Sequence, residues 1–504
     1  MGDQFSVAKE SVMASYSQTA SVNSGDHPGP DALERLPLAA FGKHPHHNVF
    51  ALPILNQFLI YAPLHSLAAL MDRAAALRLR DSLLTGEDTG GGQLSEIVRT
   101  FNARAEPAPS PKLGEFAPAF LGLLPTRSCN LACQYCGFLT LDDSQKMMDL
   151  KLARDAVSWY MDLVTQAGAQ QAEIHFFGGE PFCAEEVLDL AVHLARTRAR
   201  ETGYTVRFEV ATNGTFSQQR CQWAADNLDT IVLSLDGPAE IQDTHRPRKN
   251  GAGSFEAVVH NARTLSEGAA DLHLRACVTN ETVNRMPEIA AWFCQDFRPS
   301  AVSFEPVQST PQSRAAHLDP PDPWAFARNF VAAAQILEAH GVASVYNPSD
   351  IRTRRVTFCP VGRDVAIVSP DGTISACYLL PRDWEAKGLD LRLGHMGTSN
   401  GGTPHLDAGA AAFARSMNVW NKPFCARCFC KWHCAGGCHV NHAPAGPPGT
   451  YDRLCIQTRI IALRNVLKAM DHDGLAQKWL RDREKLERSV CQASDLLLDL
   501  GEAA

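Results

Sequence analysis

The chain has 504 residues, with 47 basic and 55 acidic side chains and a formal net charge of −8. That balance excludes a strongly basic nucleic-acid surface, and no apolar run reaches the length of a membrane span. The length allows two or three domains with a sizeable core, and a composition 45% hydrophobic and 20% charged is that of a globular protein.

Sixteen cysteines is a high count for such a chain. They imply either disulfides in a secreted protein or metal ligands in a reducing compartment. The N-terminus shows no cationic region followed by an apolar stretch, so no export signal is read. The expectation is therefore metal ligands and a cytoplasmic location.

In chain order, residues 1–45 read as a disordered tail, rich in Ser, Gly, Pro and Asp without a period. Residues 46–112 read as a small α+β unit and a linker. Asn48 to Pro53 and Gln57 to Pro63 look like strands. Leu67 to Leu84 reads as a helix with Ser66 as its N-cap, because Leu67, Leu70, Met71, Ala74 and Leu77 recur at helical spacing. Pro107, Pro109 and Pro111 mark the linker.

Over residues 113–345 strand and helix patterns alternate. The predicted strands are Phe120 to Pro125, Glu173 to Phe177, Thr205 to Ala211, Thr230 to Leu235, Leu272 to Val278 and Ala301 to Val307. Leu152 to Ala167 and Glu185 to Thr202 read as helices between them. Six βα units imply an α/β fold, a parallel sheet curled into a partial, TIM-like (β/α)6 barrel. Active-site residues of such barrels sit at the C-terminal strand ends. A cysteine-rich region follows over 346–460, and helices over 461–504.

The first predicted barrel strand runs into Cys129-Asn-Leu-Ala-Cys133-Gln-Tyr135-Cys136. A cubane iron–sulfur cluster normally takes four thiolates, one per iron. Three leave one iron open to a small chelating molecule. The alternatives are a structural zinc knot or cysteines in a buried turn. After the second strand comes Gly178-Gly179-Glu180-Pro181, where paired glycines allow close backbone approach. At the end of the fourth come Ser234 and, further on, Arg246, a hydroxyl and a guanidinium able to hold a ribose or carboxylate.

Taken together, these segments resemble the radical S-adenosylmethionine (SAM) enzymes. The resemblance implies that Cys129, Cys133 and Cys136 hold a [4Fe–4S] cluster whose open iron binds SAM. It implies SAM contacts from Tyr135, Gly178, Gly179, Glu180, Ser234, Arg246 and Val307. The reaction it implies is reductive cleavage of SAM to a 5′-deoxyadenosyl radical that abstracts hydrogen from C–H bonds.

Near the C-terminus, Cys359, Cys377, Cys425, Cys428, Cys434, Cys438 and Cys455 fall in an order that resembles the SPASM extension of peptide-modifying members. A zinc ribbon is the alternative. By resemblance, Cys425, Cys428, Cys434 and Cys455 hold one auxiliary iron–sulfur cluster, and Cys359, Cys377 and Cys438 the other. Relatives such as sulfatase maturases have a fourth cysteine shortly after the first. This chain has none between Cys359 and Cys377, and Cys430 is a nearby spare. Those maturases also carry an Asp base where this chain has Tyr378, a possible substrate contact or a packed tyrosine. Cys183, Cys221, Cys277, Cys294 and Cys491 read as core thiols.

The function expected is a maturase that oxidatively modifies a ribosomally made peptide or a protein, by a thioether or C–C cross-link or another C–H oxidation. A sulfatase-type or enzyme-subunit maturase is the rival enzyme, and a non-catalytic iron–sulfur or zinc module the rival of another class. Partners expected are a peptide or protein substrate, a precursor peptide foremost, and a reductant such as flavodoxin or ferredoxin, with no nucleic acid and no membrane. The 46–104 unit resembles winged-helix domains that bind precursor leaders by strand addition, and the alternative is a cap on the barrel.

Overall fold

The computed structural model describes residues 49–86, 92–103, 107–138, 147–397, 402–442, 451–491 and 494–495. The predicted tail over 1–45 lies outside them.

Three antiparallel strands open the fold: β1 (Phe50–Ile54), β2 (Gln57–Ala62) and β3 (Leu67–Met71). Leu67 to Met71 is thus a strand and not the start of a helix. Its five residues are all buried, two against the main core and three under the helices Arg73–Thr85 and Gly92–Ala103. A short run apolar on both sides fits either element, and burial on both faces of a sheet decides it. Ser66 sits at φ +50 after a tight turn, so it cannot serve as the N-cap. Asp72 takes that role, accepting from the Ala75 amide at 2.8 Å.

The barrel strands follow as β4 (Leu121–Leu123), β5 (Gln171–Phe176), β6 (Thr205–Thr212), β7 (Thr230–Ser234), β8 (Asp271–Val278) and β9 (Ala301–Pro306). Neighbours in sequence are neighbours in space, and all pairs are parallel. Each lies within about two residues of the predicted strand, and the helix Glu185–Thr202 matches its predicted span.

The sheet continues at both edges. β10 (Ala343–Val345) pairs parallel with β9, and β11 (Ala366–Val368) pairs parallel with β4. β12 (Thr373–Ser375), β13 (Arg392–His395) and β14 (His405–Leu406) extend it antiparallel. The cysteine-rich region is thereby joined to the barrel by backbone hydrogen bonds. The last strand, β15 (Ser494–Asp495), returns to pair with β1, leaving β3 at the outer edge of that four-stranded sheet.

β5, β6 and β8 alternate buried with half-buried residues, whereas β4, β7 and β9 carry runs of buried ones. In β8, Leu272, Leu274, Ala276 and Val278 are buried, while His273, Arg275 and Cys277 are only half-buried. The same register puts His175, Glu209 and Glu305 on one side of the sheet. A closed eight-stranded barrel fills that side with apolar layers. Here it is polar, which suits a cavity open to solvent and substrate.

Candidate active site and cysteine clusters

The cysteine loop leaves the C-terminal end of β4 and is braced from three sides. From below, the Gly179 amide donates to Thr126 O at 2.9 Å and the Glu180 amide to Ser128 O at 2.8 Å. The glycine pair is required here by the loop itself. A Cβ on Gly178 would lie 2.6 Å from Thr126 O, and one on Gly179 would lie 2.1 Å from Ser128 O. From the β6 side, Asn213 Nδ2 reaches Asn130 Oδ1 at 2.8 Å and Cys129 Sγ at 3.5 Å. From the segment after β7, the Ala132 amide donates to Pro247 O and the Gln134 amide to His245 O.

Glu180 is buried, and its carboxylate is spent within the protein. It accepts from the Asn213 amide and the Thr212 hydroxyl, both at 2.7 Å, and from the Phe182 amide at 3.2 Å. Burial pushes its carboxyl up to about 7, against these three donors. Its geometry is that of a brace tying the end of β5 to the end of β6.

Asp236, just past β7, is a hub that the sequence reading missed. It is fully buried. Tyr135 donates its hydroxyl to Oδ2 at 2.6 Å, His245 Nδ1 lies 3.1 Å from the same oxygen, and the Cys277 amide donates to Oδ1 at 2.9 Å. Arg246 Nε is 3.1 Å from Oδ1, and its guanidinium lies 5.4 Å from the Tyr135 ring centre. Burial would raise the Asp236 carboxyl, but Arg246 and then His245 hold it down to about 2. Ser234 and Val307 are buried at the ends of β7 and β9.

The C-terminal cysteines lie in turns around the short helix Lys431–Cys434 and at the start of the helix Arg453–Ala469. Lys422 Nζ donates to Gly436 O at 2.8 Å and to Gly437 O at 3.2 Å, and its charge is felt by Cys425, Cys434, Cys359 and Cys438. Cys430 is buried on the Cys428 side, where its thiol donates to Cys428. Arg459 also donates to Cys428, at 3.1 Å. His442 Nε2 lies 3.4 Å from Cys455 Sγ and 3.1 Å from Asp452 Oδ2. Arg459 follows Cys455 by four residues and His442 follows Cys438 by four, a spacing that could have singled them out.

Burial pushes the thiols of Cys129 and Cys359 up to about 11, and those of Cys133, Cys377, Cys425 and Cys434 up to about 12. Cys455 is raised further still. Cys428 alone runs the other way, lowered by the Cys430 thiol and then by Arg459. Cysteines buried in this way become thiolates when a metal compensates the charge.

The spacing of the sulfurs tests zinc against iron–sulfur. Tetrahedral zinc, with Zn–S near 2.3 Å, brings its sulfurs to about 3.8 Å from one another. Among the described residues, no three cysteine sulfurs lie within 4.8 Å of one another; the group that does is His442, Asp452 and Cys455. A cubane binds each thiolate to a different iron and needs the wider spacing. The cysteine sulfurs are thus not gathered as tightly as a single zinc requires.

Among the other cysteines, Cys221 is buried, Cys277 and Cys294 are partly buried, and Cys183 and Cys491 are exposed. The last two are surface thiols and not core residues. Tyr378 stands between Phe120 and Phe177, with ring centres 6.4 and 4.8 Å away. Its hydroxyl is buried without a hydrogen-bond partner among the described residues.

The glycine-braced cysteine loop thus stands at the C-terminal edge of an open parallel sheet. Residues 123–293 match the Radical SAM superfamily. The Serine-type anaerobic sulfatase-maturating enzyme of Klebsiella aerogenes is 29% identical over 155 residues, which is 31% of this chain and only 38% of that protein. The Cysteine-type enzyme of Clostridium novyi is 22% identical over 374 residues, 68% of this chain and 93% of that one. A solved structure, native anSMEcpe with bound AdoMet, shares the fold at a TM-score of 0.54 and 18% identity, covering 70% of this chain and 100% of that one. Residues 123–293 are a Radical SAM domain, homologous to that of the anaerobic sulfatase-maturating enzymes. The cofactors of the superfamily are a [4Fe–4S] cluster and SAM.

Proposed function

We propose that the chain is a radical SAM maturase that oxidatively modifies a ribosomally made peptide or a protein. The observation that carries this is the braced Cys129–Cys136 loop at the C-terminal end of β4, in a sheet that continues through β11 and β12, which lie between Cys359 and Cys377 at the start of the cysteine-rich region. Cys129, Cys133 and Cys136 would hold the initiating cluster. Cys425, Cys428, Cys434 and Cys455 would hold one auxiliary cluster, and Cys359, Cys377 and Cys438 the other. Bound there, the initiating cluster and SAM supply a 5′-deoxyadenosyl radical able to take a hydrogen atom from substrate.

The chain's own residues do the rest. The Gly178–Glu180 segment fixes the loop backbone, and Asp236 holds Tyr135 and Arg246, which would then contact SAM. Val307 and Ser234, buried at the strand ends, would contact the nucleoside of bound SAM. A small redox protein such as flavodoxin or ferredoxin supplies the electron.

Similarity to the sulfatase-maturating enzymes supports a protein substrate. The residue at position 378 argues for a different reaction, since a tyrosine with an enclosed hydroxyl cannot act as a carboxylate base. One face of the N-terminal sheet packs on the cysteine-rich region, Phe50 against Phe429 and Tyr61 against His433. β3 ends the strand order of that sheet but its five residues are buried, so a precursor strand would add there only once that cover is displaced. Cytoplasmic location is part of the same reading; among the described residues, no helix is long and apolar enough to cross a membrane.

The test is anaerobic reconstitution with iron and sulfide, then dithionite and SAM. The expected product is 5′-deoxyadenosine, lost when Cys129, Cys133 and Cys136 are all changed to Ala while iron remains at the C-terminal sites. Undiminished product from that triple variant would refute the assignment.

A further inference from the structure

The helix Arg453–Ala469 carries a cation into the cysteine-rich region. Arg459 is 1% exposed. Its Nη1 donates to Cys428 Sγ at 3.1 Å, and its Nε donates to Val490 O at 2.7 Å. The guanidinium lies 4.0 Å from the Tyr451 ring centre and 4.3 Å from that of Phe429. Its Nη2 is buried without a hydrogen-bond partner, and no carboxylate among the described residues lies within ion-pair distance. A buried arginine ordinarily meets a carboxylate. This one is held by two rings and a backbone carbonyl, and the anion it is offered is a cysteine sulfur.

We propose that Arg459 sets the reduction potential of the auxiliary cluster held by Cys425, Cys428, Cys434 and Cys455, raising it through its contact with Cys428 Sγ. The proposal rests on the ligand assignment made above. Reduction adds one electron to an already anionic cluster, with no bond made or broken. A fixed positive charge hydrogen-bonded to one ligand sulfur favours the reduced form, and a site walled by Phe429 and Tyr451 screens that charge little. The lever also gives the C-terminal helix Arg483–Cys491 a part in redox tuning, since its Val490 carbonyl aims the guanidinium. Arg459 is a positioning and tuning residue in this scheme, touching neither SAM nor substrate.

The experiment is a potentiometric titration followed by electron paramagnetic resonance on the reconstituted full chain. The signal of interest is the one lost in Cys434→Ala. In Arg459→Gln, with iron content and circular dichroism at wild-type levels, the reduced-to-oxidised ratio of that signal at a fixed potential should fall about tenfold, a shift of about 59 mV for a one-electron couple. Arg459→Lys, which keeps the charge and loses the fork, should fall between. The other two signals should not move. An unchanged midpoint in a fully loaded Arg459→Gln overturns the proposal. If that variant does not hold iron, Arg459→Lys decides: a lowered midpoint supports the proposal and a wild-type midpoint overturns it. A Cys434→Ala chain that loses no iron signal refutes the ligand assignment itself, and the proposal with it.

Discussion

The hydroxyl of Tyr135, the residue just before the third loop cysteine, donates to Asp236 Oδ2 at 2.6 Å, across 101 positions of sequence. The same carboxylate pairs with Arg246 and meets His245. One buried acid thus fixes the aromatic residue beside the cluster loop and the cation expected on SAM. Asp236→Asn keeps the shape but leaves the Arg246 charge buried and unpaired. Breaking such a pair costs about 3–5 kcal/mol. The expected outcome is a lower denaturation midpoint and an altered spectrum of the SAM-bound initiating cluster, with auxiliary signals unchanged. Tyr135→Phe should give a smaller loss, about 1.5–3 kcal/mol for one hydrogen bond to a charged acceptor. A wild-type midpoint and spectrum for Asp236→Asn would show that the hub is dispensable.

The repeating parts of the fold were legible in the sequence. Leu272, Leu274, Ala276 and Val278 alternate with less buried neighbours, so β8, like β5 and β6, announces itself by period. Leu67 to Met71 carries no such alternation, and only its burial on both faces makes it a strand. Asp236 was invisible for a different reason. A single buried charge has no periodicity, and its partners lie far off in sequence, as Tyr135 does from Asp236. Glu180 was legible as part of a motif, but its internal use by Thr212 and Asn213 was not.

Gly179 faces the Ser128 carbonyl so closely that an added Cβ would sit 2.1 Å from the oxygen. The clash is with backbone, which cannot rotate away. Gly179→Ala should therefore displace the cysteine loop, at a cost of about 1–3 kcal/mol or more. The specific readout is loss of iron from the initiating cluster while the C-terminal irons are retained. Full iron at that cluster in the alanine variant would contradict the close approach.

Glu180 should leave a mark on the pH dependence of stability. Burial raises its folded-state carboxyl from 4.5 to about 7. A raised acid favours the folded state below its unfolded value, and that stabilisation is lost as pH rises through the folded value. Between about pH 4.5 and 7 the wild type should lose stability relative to Glu180→Gln, which does not titrate. The difference in urea midpoint between the two should move steadily in favour of the variant across that window. A difference independent of pH would mean that Glu180 ionises normally, its three donors offsetting burial.

Gly122 and Tyr378 can be tested as a pair. A Cβ on Gly122 would lie 2.8 Å from the Tyr378 hydroxyl oxygen, which itself has no hydrogen-bond partner among the described residues. Tyr378→Phe removes a buried unsatisfied hydroxyl and should be neutral or stabilising by about 1 kcal/mol. Gly122→Ala alone should destabilise by about 1–3 kcal/mol. The double variant should recover part of that loss, since the clashing atom is gone, although Ile367 Cγ1 at 2.9 Å remains. Strict additivity would separate the two residues.

Between Cys359 and Cys377 the chain has no further cysteine to complete the Cys359, Cys377 and Cys438 set. Cys430, the spare, is buried against Cys428, while the charges that act on Cys359 are those of Cys438, Lys422 and Arg363. We therefore expect a cluster with one iron not bound by a nearby thiolate, a Lewis acid able to bind a substrate thiolate and lower its pKa. In a chain lacking the other two clusters, a small thiol or a cysteine-bearing substrate peptide should shift the spectrum of this one, and the serine analogue should not. Cys430→Ser should leave the spectrum unchanged. Loss of this cluster in Cys430→Ser, or a spectrum indifferent to added thiol, would close the open iron.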